Sequence, residues 1–413
     1  MSTVPPAVPP AVPTTGRTVA ATPVSDRALA PDLARGAMLL LIALAHAPWF
    51  AYTSELGATL LHAADGGPAD RIAQVVTITA VDGRAWTLFG FLFAYGIGQL
   101  YARRIAGGGT DAQARRLLRT RHWWLLALGL LHAALLWQGD ILGTYGVLGL
   151  VLVPLFLHRS DRTLRIGAGV LVGLAVAVPA VTGVLAQFTG GATPTSAAQQ
   201  LALATPDWFA TLPLRLALWV SAIPGAFVTL VMPAAVLLGL LAARHRVLEE
   251  PGAQLPLLRR TAVAGIAVGW SAGLAQALVH VGVVALPDPG AFAGLHIATG
   301  IFAALGYAAV FGLVAHRLGT RPTAPLPVRA LVALGRRSLS GYLAQSLLFV
   351  PLLTAWGLGL GAHLSGWSAS LVAVGVWLLT VVVAYRLDRA GVRGPAETLL
   401  RRLTYGPSPR SAR

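Results

Sequence analysis

The sequence predicts an all-α fold, a polytopic membrane helix bundle of about ten transmembrane helices with both termini in the cytoplasm. Composition, the spacing of apolar stretches and the distribution of arginine all point to this fold. Hydrophobic residues make up 56% of the 413 residues and charged residues 11%, and the mean hydropathy is +0.70. Since a soluble domain carries roughly 25% charged residues, this composition is typical of a chain that lies in lipid.

About ten apolar stretches are long enough to cross a bilayer as helices. The first five occupy residues 36–53, 85–102, 122–138, 141–157 and 164–187. The last five occupy residues 218–241, 261–286, 293–315, 339–357 and 367–387. Most connections are short, which favours one bundle over several domains. The two long external connections, 53–84 and 188–217, are candidates for functional loops.

Arginine is distributed unevenly along the chain. The 31 basic residues are all arginine, and only Arg71, Arg84 and Arg215 lie outside alternate connections of the predicted bundle. By the positive-inside rule the arginine-rich connections are cytoplasmic, which gives an even number of spans with both termini inside. The absence of lysine indicates a coding bias. The net charge of +16 is therefore no sign of nucleic-acid binding, and no nucleic-acid partner is expected.

Three segments are predicted along the chain. Residues 1–26 are rich in Pro, Ala, Val and Thr and are expected to form a disordered cytoplasmic tail. Residues 27–392 form the transmembrane domain. Residues 393–413 form a short amphipathic juxtamembrane helix and the C-terminal tail. With no cysteine, neither a disulfide nor a thiolate metal site can form.

The first apolar stretch carries two ionisable residues, Arg35 at its cytoplasmic foot and His46 eleven residues further on. Eleven residues complete almost three helical turns, so both side chains project from nearly the same face, about 16 Å apart along the axis. A buried imidazole can act as a general base, and a guanidinium can bind phosphate. The alternative is structural, with Arg35 anchoring the helix beside Asp32 and His46 bonded to a carbonyl freed by Pro48.

Other polar residues lie at the ends of the predicted spans. His62 lies in the first external connection, and Asp82 with Arg84 are expected to form an ion pair that supports the mouth of the second span. His132 and Asp140 flank the external end of the third span, near Tyr145. A carboxylate that orients an imidazole is a familiar catalytic arrangement. However, residues eight apart lie off a common helical face, so a structural bend with Asp140 as a capping residue is the preferred interpretation.

The ninth span begins with an unusually polar segment that contains Ser338, Tyr342 and Gln345. These residues either bind a phosphate or nucleotide at the cytoplasmic mouth or satisfy neighbouring helices. The histidines are too few and too scattered to indicate zinc, and no metal is expected.

Several segments resemble the YeiB-like family of bacterial membrane proteins, which carries domain of unknown function 418. They are, in order, Asp32-Leu-Ala-Arg35-Gly36, Leu88 to Gly96, Leu130 to Leu142 with Tyr145, Gly335 to Ser346, and Gly394 to Gly406. The resemblance covers residues 26–406 and implies a plasma-membrane location in a bacterial cell. It also implies a fold related to transmembrane acyltransferases.

Among those relatives, the family-three sugar O-acyltransferases have an Arg, ten residues and a His on the first span, and Arg35 and His46 match that spacing. Many YeiB-like proteins have Asn at the histidine position, so this chain departs toward the acyltransferase pattern. Lysosomal-type N-acetyltransferases place their catalytic histidine in the loop after the first span, where this chain has His62. The resemblance leaves open which histidine is catalytic.

The leading hypothesis is a membrane acyltransferase that takes an acyl group from cytoplasmic acyl-CoA. The acceptor would be a hydroxyl or amine of a glycan, lipid or secondary metabolite. A transporter or channel for a small molecule is the main alternative, although the predicted spans hold no Asp or Glu away from their ends. The third hypothesis is a non-catalytic membrane component. The lipid bilayer is the expected partner, and the sequence leaves a homo-oligomer open.

Overall fold

The computed structural model of the protein describes residues 28–59, 61–189, 197–319 and 324–406. Within these ranges the regular structure is helical, apart from one isolated antiparallel bridge between Leu56 and Ala63. The predicted all-α fold is confirmed. The tail predicted for residues 1–26 lies outside the described residues.

The described ranges contain α-helices of 8 to 29 residues. In chain order they are α1 Leu29–His46, α2 Pro68–Ala80, α3 Ala85–Ala106, α4 Asp111–Leu135, α5 Leu142–Phe156, α6 Asp161–Thr189, α7 Ala197–Ala204, α8 Leu212–Val228, α9 Val231–Arg244, α10 Leu255–His280, α11 Ala293–Gly319, α12 Leu326–Arg336, α13 Ser338–Leu353, α14 Gly366–Arg389 and α15 Pro395–Tyr405. Short 3₁₀ helices cover Ala47–Phe50, Pro251–Gln254 and Leu360–His363.

Six helical segments of the described chain are long and apolar enough to cross a membrane. They are Leu29–Phe50, Pro68–Ala106, Asp161–Phe188, Pro251–His280, Ala293–Gly319 and Gly366–Arg389. Helices α8 and α9 are bent by 64° relative to each other, and if they count as one broken span the number of candidate spans is seven. Helices α5 and α13 are apolar but shorter. The first half of α4 carries four arginines. The chain is a helical membrane protein, while the ten-span count and the side of each terminus stay predictions.

The long connections contain helices that the sequence analysis did not predict. Residues 53–84 include α2, and residues 188–217 include α7. Helix α2 begins where Pro68 occupies the first turn and the Asp70 carboxylate accepts a hydrogen bond from the Gly67 N–H at 3.0 Å, which satisfies an otherwise free helix-end donor. The prediction of a loop was wrong there. The segment is not apolar enough to be recognised as a helix, but Pro68 and Asp70 start one.

Helices α1 and α12 approach closely because glycine faces glycine. A Cβ at Gly36 would overlap the Leu331 carbonyl, and a Cβ at Gly335 would overlap the Asp32 carbonyl. This contact places Arg35 and Arg336 beside each other at one end of the bundle, where both approach Asp32.

Replacing Gly335 by alanine is expected to lower the free energy of unfolding by about 1–3 kcal/mol, because two backbones must separate to admit the methyl group. Thermal unfolding of the purified protein in detergent measures this. Gly169→Ala on α6 is the matched control, since a Cβ there meets no atom within 4 Å and alanine favours helix. Equal melting temperatures for the two variants would contradict the close approach.

Candidate functional site

A cavity of about 570 Å³ opens at the arginine-rich end of the bundle. Helices α1, α3, α4, α5, α12, α13, α14 and α15 contribute to its wall. Its mouth is lined by Arg35, Arg103, Arg104, Arg121, Arg336, Arg337, Arg393 and Arg401. Its inner part is lined by Phe89, Leu92, Phe93, Leu125, Leu142, Tyr145 and Tyr342. The cavity therefore joins a strongly basic mouth to an apolar and aromatic interior.

Acidic side chains neutralise only part of the mouth. Asp32 lies 3.2 Å from the Arg35 guanidinium and 3.6 Å from that of Arg336, so the predicted Arg35–Asp32 pair is present. Asp388 accepts from Arg337 at 2.9 Å. Since the lining includes eight guanidinium groups and three carboxylates, the mouth has an excess of positive charge suited to a polyanion such as a chain of phosphates.

Helix α15 closes one side of the mouth through Glu397. The Glu397 carboxylate accepts hydrogen bonds from the Leu339 and Ser340 amides at 2.8 and 3.1 Å, and from the Ser340 hydroxyl at 2.5 Å. It thus caps the first turn of α13, where a negative group is favoured by the helix dipole. The adjacent Ser338 lines the cavity.

Two buried tyrosines form the inner end of the cavity. The Tyr342 hydroxyl accepts from the Ile141 amide at 3.2 Å, and the Tyr145 hydroxyl donates to the Trp86 carbonyl at 2.8 Å. The Tyr342 ring lies 5.4 Å from the His132 ring and 6.4 Å from the His46 ring, measured between centroids. The inner end of the cavity is therefore in contact with two of the histidines.

His132 and Asp140 form a buried hydrogen-bonded pair. The distance from His132 Nδ1 to Asp140 Oδ1 is 2.9 Å, and both side chains are almost fully buried. Asp140 Oδ2 also accepts from the Gly143 amide at 2.8 Å and from Trp219 Nε1 at 3.1 Å. The bond to Gly143 is the capping contact expected of Asp140 at this bend, and the bond to His132 is the carboxylate–imidazole contact that was the alternative. Because α4 ends at Leu135, the following turn carries Asp140 back to His132, while its other oxygen bonds the first turn of α5.

This arrangement sets the tautomer of His132. A carboxylate that accepts two further hydrogen bonds accepts the Nδ1 proton of neutral imidazole, which leaves the Nε2 lone pair available. His132 Nε2 has no hydrogen-bond partner among the described residues. A buried, oriented imidazole with a free nitrogen is the geometry that a general base requires.

His46 is the second histidine near Tyr342. Its ring is 4.5 Å from the Trp137 ring, and α1 ends at His46, where Pro48 starts a 3₁₀ turn. Gln345 Nε2 donates to the Leu39 carbonyl at 3.1 Å, and its Oε1 has no partner among the described residues. Helix α1 thus carries Arg35 at the cavity mouth and His46 beside its inner end.

His62 belongs to a different buried cluster. His62 Nε2 lies 2.6 Å from Asp82 Oδ2, and the His62 ring is 5.8 Å from the His280 ring. Arg84 donates to the Asp82 carbonyl, to the Gly269 carbonyl at 2.6 Å and to His296 at 3.1 Å. The predicted Asp82–Arg84 ion pair is therefore wrong, because His62 takes the carboxylate. None of these five side chains lines the cavity.

Sequence reasoning missed two residues that shape the site. Trp219 reaches Asp140 from α8, 79 positions away in the chain, and no local pattern indicates that contact. Glu397 lies in the predicted juxtamembrane helix, and its position there does not indicate a contact with the first turn of α13. Within the described ranges, no group of three His, Asp or Glu side chains is arranged to hold a metal ion.

Two comparisons relate the chain to known proteins. Residues 242–407 match the family model described as "Protein of unknown function (DUF418)". The "Uncharacterized protein YxaH" of Bacillus subtilis (strain 168) is 25% identical over 372 residues, which cover 86% of this chain and 87% of that protein. The matched segment contributes Arg336, Tyr342 and Glu397 to the cavity. The resemblance inferred from the sequence is confirmed over residues 242–407, where the chain is similar to the DUF418 family.

Proposed function

We propose that the protein is a membrane acyltransferase that uses acyl-CoA from the cytoplasm and transfers the acyl group to a hydroxyl or amine of a glycan, lipid or secondary metabolite. One observation carries the proposal. A single cavity runs from a mouth of eight arginines to Tyr342, which contacts the His132–Asp140 pair.

The basic mouth fits the phosphorylated end of coenzyme A. Planar guanidinium groups bind phosphate oxygens through paired hydrogen bonds, and several are gathered on one rim. Arg35, in the second turn of α1, and His46, its last residue, lie about 16 Å apart by helical rise. That length suits a long, thin acyl carrier, whose phosphates would lie at the arginines and whose pantetheine arm would follow the apolar interior.

The inner residues fit the transfer chemistry. In the proposed step, His132 Nε2 takes the proton from the acceptor hydroxyl or amine while the acceptor oxygen or nitrogen bonds the acyl carbon. The carbon–sulfur bond of the thioester breaks, and His132 returns the proton to the departing thiolate. Asp140 orients the imidazole and stabilises its charged form. His46, Tyr342 and Gln345 would then position the acyl group. His62 is a less favoured base, because its ring lies against Asp82 and His280, whereas the His132 ring lies beside Tyr342 of the cavity wall.

The proposal is tested with purified protein in nanodiscs, labelled acetyl-CoA and a bacterial lipid and glycan extract as acceptor. Label transfer with stoichiometric release of free CoA is the expected result. Saturable uptake of a small molecule without CoA release would overturn it. The break in the α8–α9 span at Leu230, where φ is 60°, favours such transport as the alternative, since transporters often use broken helices.

Neutralising the mouth is expected to weaken CoA binding. The double variant Arg103→Gln/Arg401→Gln removes two lining guanidinium groups from different helices, which is expected to raise the CoA dissociation constant by about ten- to hundredfold. Calorimetric titration measures it. Arg162→Gln/Arg165→Gln on α6 is the control, because these exposed arginines do not line the cavity. If pantetheine, which lacks phosphates, binds as tightly as CoA, the assigned role of the mouth is wrong.

A further inference from the structure

A second cavity, of about 310 Å³, lies on the opposite face of α4, between α4 and α5. We name it the α4–α5 cleft. It is lined by Ala112, Arg115, Arg116, Leu118, Arg119, His122, Gly149, Leu150, Val153, Pro154 and Leu157. Leu117, Arg121 and Leu125, one turn apart on α4, line the larger cavity instead. The helix therefore separates two basic cavities that share no lining residue.

The rim of the cleft carries an excess of positive charge. Arg116 and Arg119 are exposed and one turn apart. Arg115 pairs with Asp111 at 3.0 Å, and His158 lies 3.2 Å from the same carboxylate. Since no acidic side chain lines the cleft, its rim favours an anion.

A buried imidazole lies inside the cleft. His122 is 1% exposed, and its Nε2 has no hydrogen-bond partner among the described residues. The ring is seated against the backbone of Gly149, where a Cβ would collide with it. A buried polar nitrogen without a partner destabilises the protein unless a ligand satisfies it. An imidazole N–H there can donate to an anionic oxygen that the rim arginines also contact.

The remaining lining is apolar, and the exposed residues around it are of the kinds found at a membrane interface. Leu118, Leu150, Val153, Pro154 and Leu157 form the walls. Trp123 and Trp124, next to His122, are 57% and 37% exposed, as in the aromatic belt where side chains meet headgroups. Leu155 on α5 is 53% exposed and extends the apolar surface toward lipid. Basic pockets between helices at this level suit lipid phosphates better than soluble anions.

We propose that the α4–α5 cleft binds the headgroup phosphate of an anionic phospholipid in the predicted cytoplasmic leaflet. Arg116 and Arg119 hold the phosphate at the rim, and His122 donates to it from within. The apolar walls take the first part of the acyl chains. The site is separate from the proposed acyl-CoA cavity and does not depend on its chemistry.

Native mass spectrometry of the full-length protein in detergent tests the proposal, with phosphatidylglycerol, phosphatidylcholine or inorganic phosphate added. Phosphatidylglycerol is expected to bind more tightly than phosphatidylcholine. Arg116→Gln/Arg119→Gln is expected to weaken phosphatidylglycerol binding roughly 30-fold and to leave CoA binding unchanged. The control Arg162→Gln/Arg165→Gln has the same spacing on an exposed helix face and is expected to bind like the wild type.

Three results would overturn the assignment. Equal loss of phosphatidylglycerol binding in both double variants would mean general surface attraction instead of a site. Equal binding of phosphatidylcholine would mean that the charge plays no part. Displacement of the lipid by inorganic phosphate at equal concentration would make the ligand a soluble phosphate. Gly149→Ala displaces the His122 ring without removing a charge. It is expected to weaken lipid binding, and unchanged binding would remove His122 from the site.

Discussion

Replacing His132 by glutamine is expected to slow acyl transfer by about 10²- to 10⁴-fold, the usual contribution of a positioned general base. Glutamine approximates the size of the imidazole and can still bond to Asp140, but it cannot accept and return a proton at neutral pH. CoA affinity is expected to stay unchanged, because the basic mouth is intact. The measurement is labelled acetyl transfer per mole of folded protein, with CoA binding titrated in parallel.

Asp140→Asn tests the same base without touching the imidazole. An asparagine amide can donate to His132 Nδ1, which moves the imidazole proton to Nε2 and removes the free lone pair. Activity should therefore fall while the fold is kept by the remaining contacts to Gly143 and Trp219. His363→Gln, at an exposed histidine, is the control and should retain full activity. Full activity of His132→Gln would rule out the proposed base.

Replacing Asp82 by alanine is expected to lower the free energy of unfolding by about 3–5 kcal/mol, the typical result of breaking a buried charged pair on one side. His62 and Asp82 are 3% and 4% exposed, and Arg84 beside them is fully buried. Without the carboxylate, the His62 ring loses its hydrogen-bond partner. The buried Arg84 guanidinium loses the nearby negative charge, although it is not directly paired with it. Thermal unfolding in detergent measures the effect.

Asp82→Asn separates the charge from the hydrogen bond, since its amide oxygen can still accept from His62. Its loss of stability should be smaller than that of the alanine variant. Acyl transfer per folded molecule should remain within a fewfold of wild type in both. A collapse of turnover with unchanged melting temperature would instead make His62 the base and its cluster the active centre.

Much of the fold follows from composition and periodicity. Each predicted apolar stretch overlaps a helix or helix pair in the described chain, although only six or seven of these segments are long and apolar enough to cross a membrane. The helices inside the connections were missed because they begin at local signals. At α2 these are Gly67, Pro68 and Asp70, which carry no apolar periodicity. The break between α8 and α9 occurs at one residue in the left-handed conformation, Leu230. The surrounding sequence is apolar throughout, so it does not indicate where the helix breaks.

Part of the site could be predicted and part could not. Arg35, Tyr145, Ser338 and Tyr342 were candidates from their place at span ends, and all line one cavity. The His132–Asp140 contact was given less weight than a bend, because residues eight apart lie off a common helical face and the sequence does not show how the turn after α4 folds back. His132, but not His62, lies beside Tyr342 of the cavity wall. Which histidine does so depends on which helices pack together, and residue spacing within one helix does not show that.

Because α15 docks through Glu397, the mouth of the cavity can be completed only after most of the chain has been synthesised. The His132–Asp140 pair and the tyrosines are contributed by helices that precede α15 in the chain, whereas Arg393 and Arg401 reach the rim only with that last described helix. A nascent or truncated chain would thus have the inner pair assembled before the basic rim is complete. In the proposed enzyme, loading of a polyanionic donor would thereby be coupled to completion of the fold, and a bulky fusion beside α15 would impair donor binding before it disturbs the bundle.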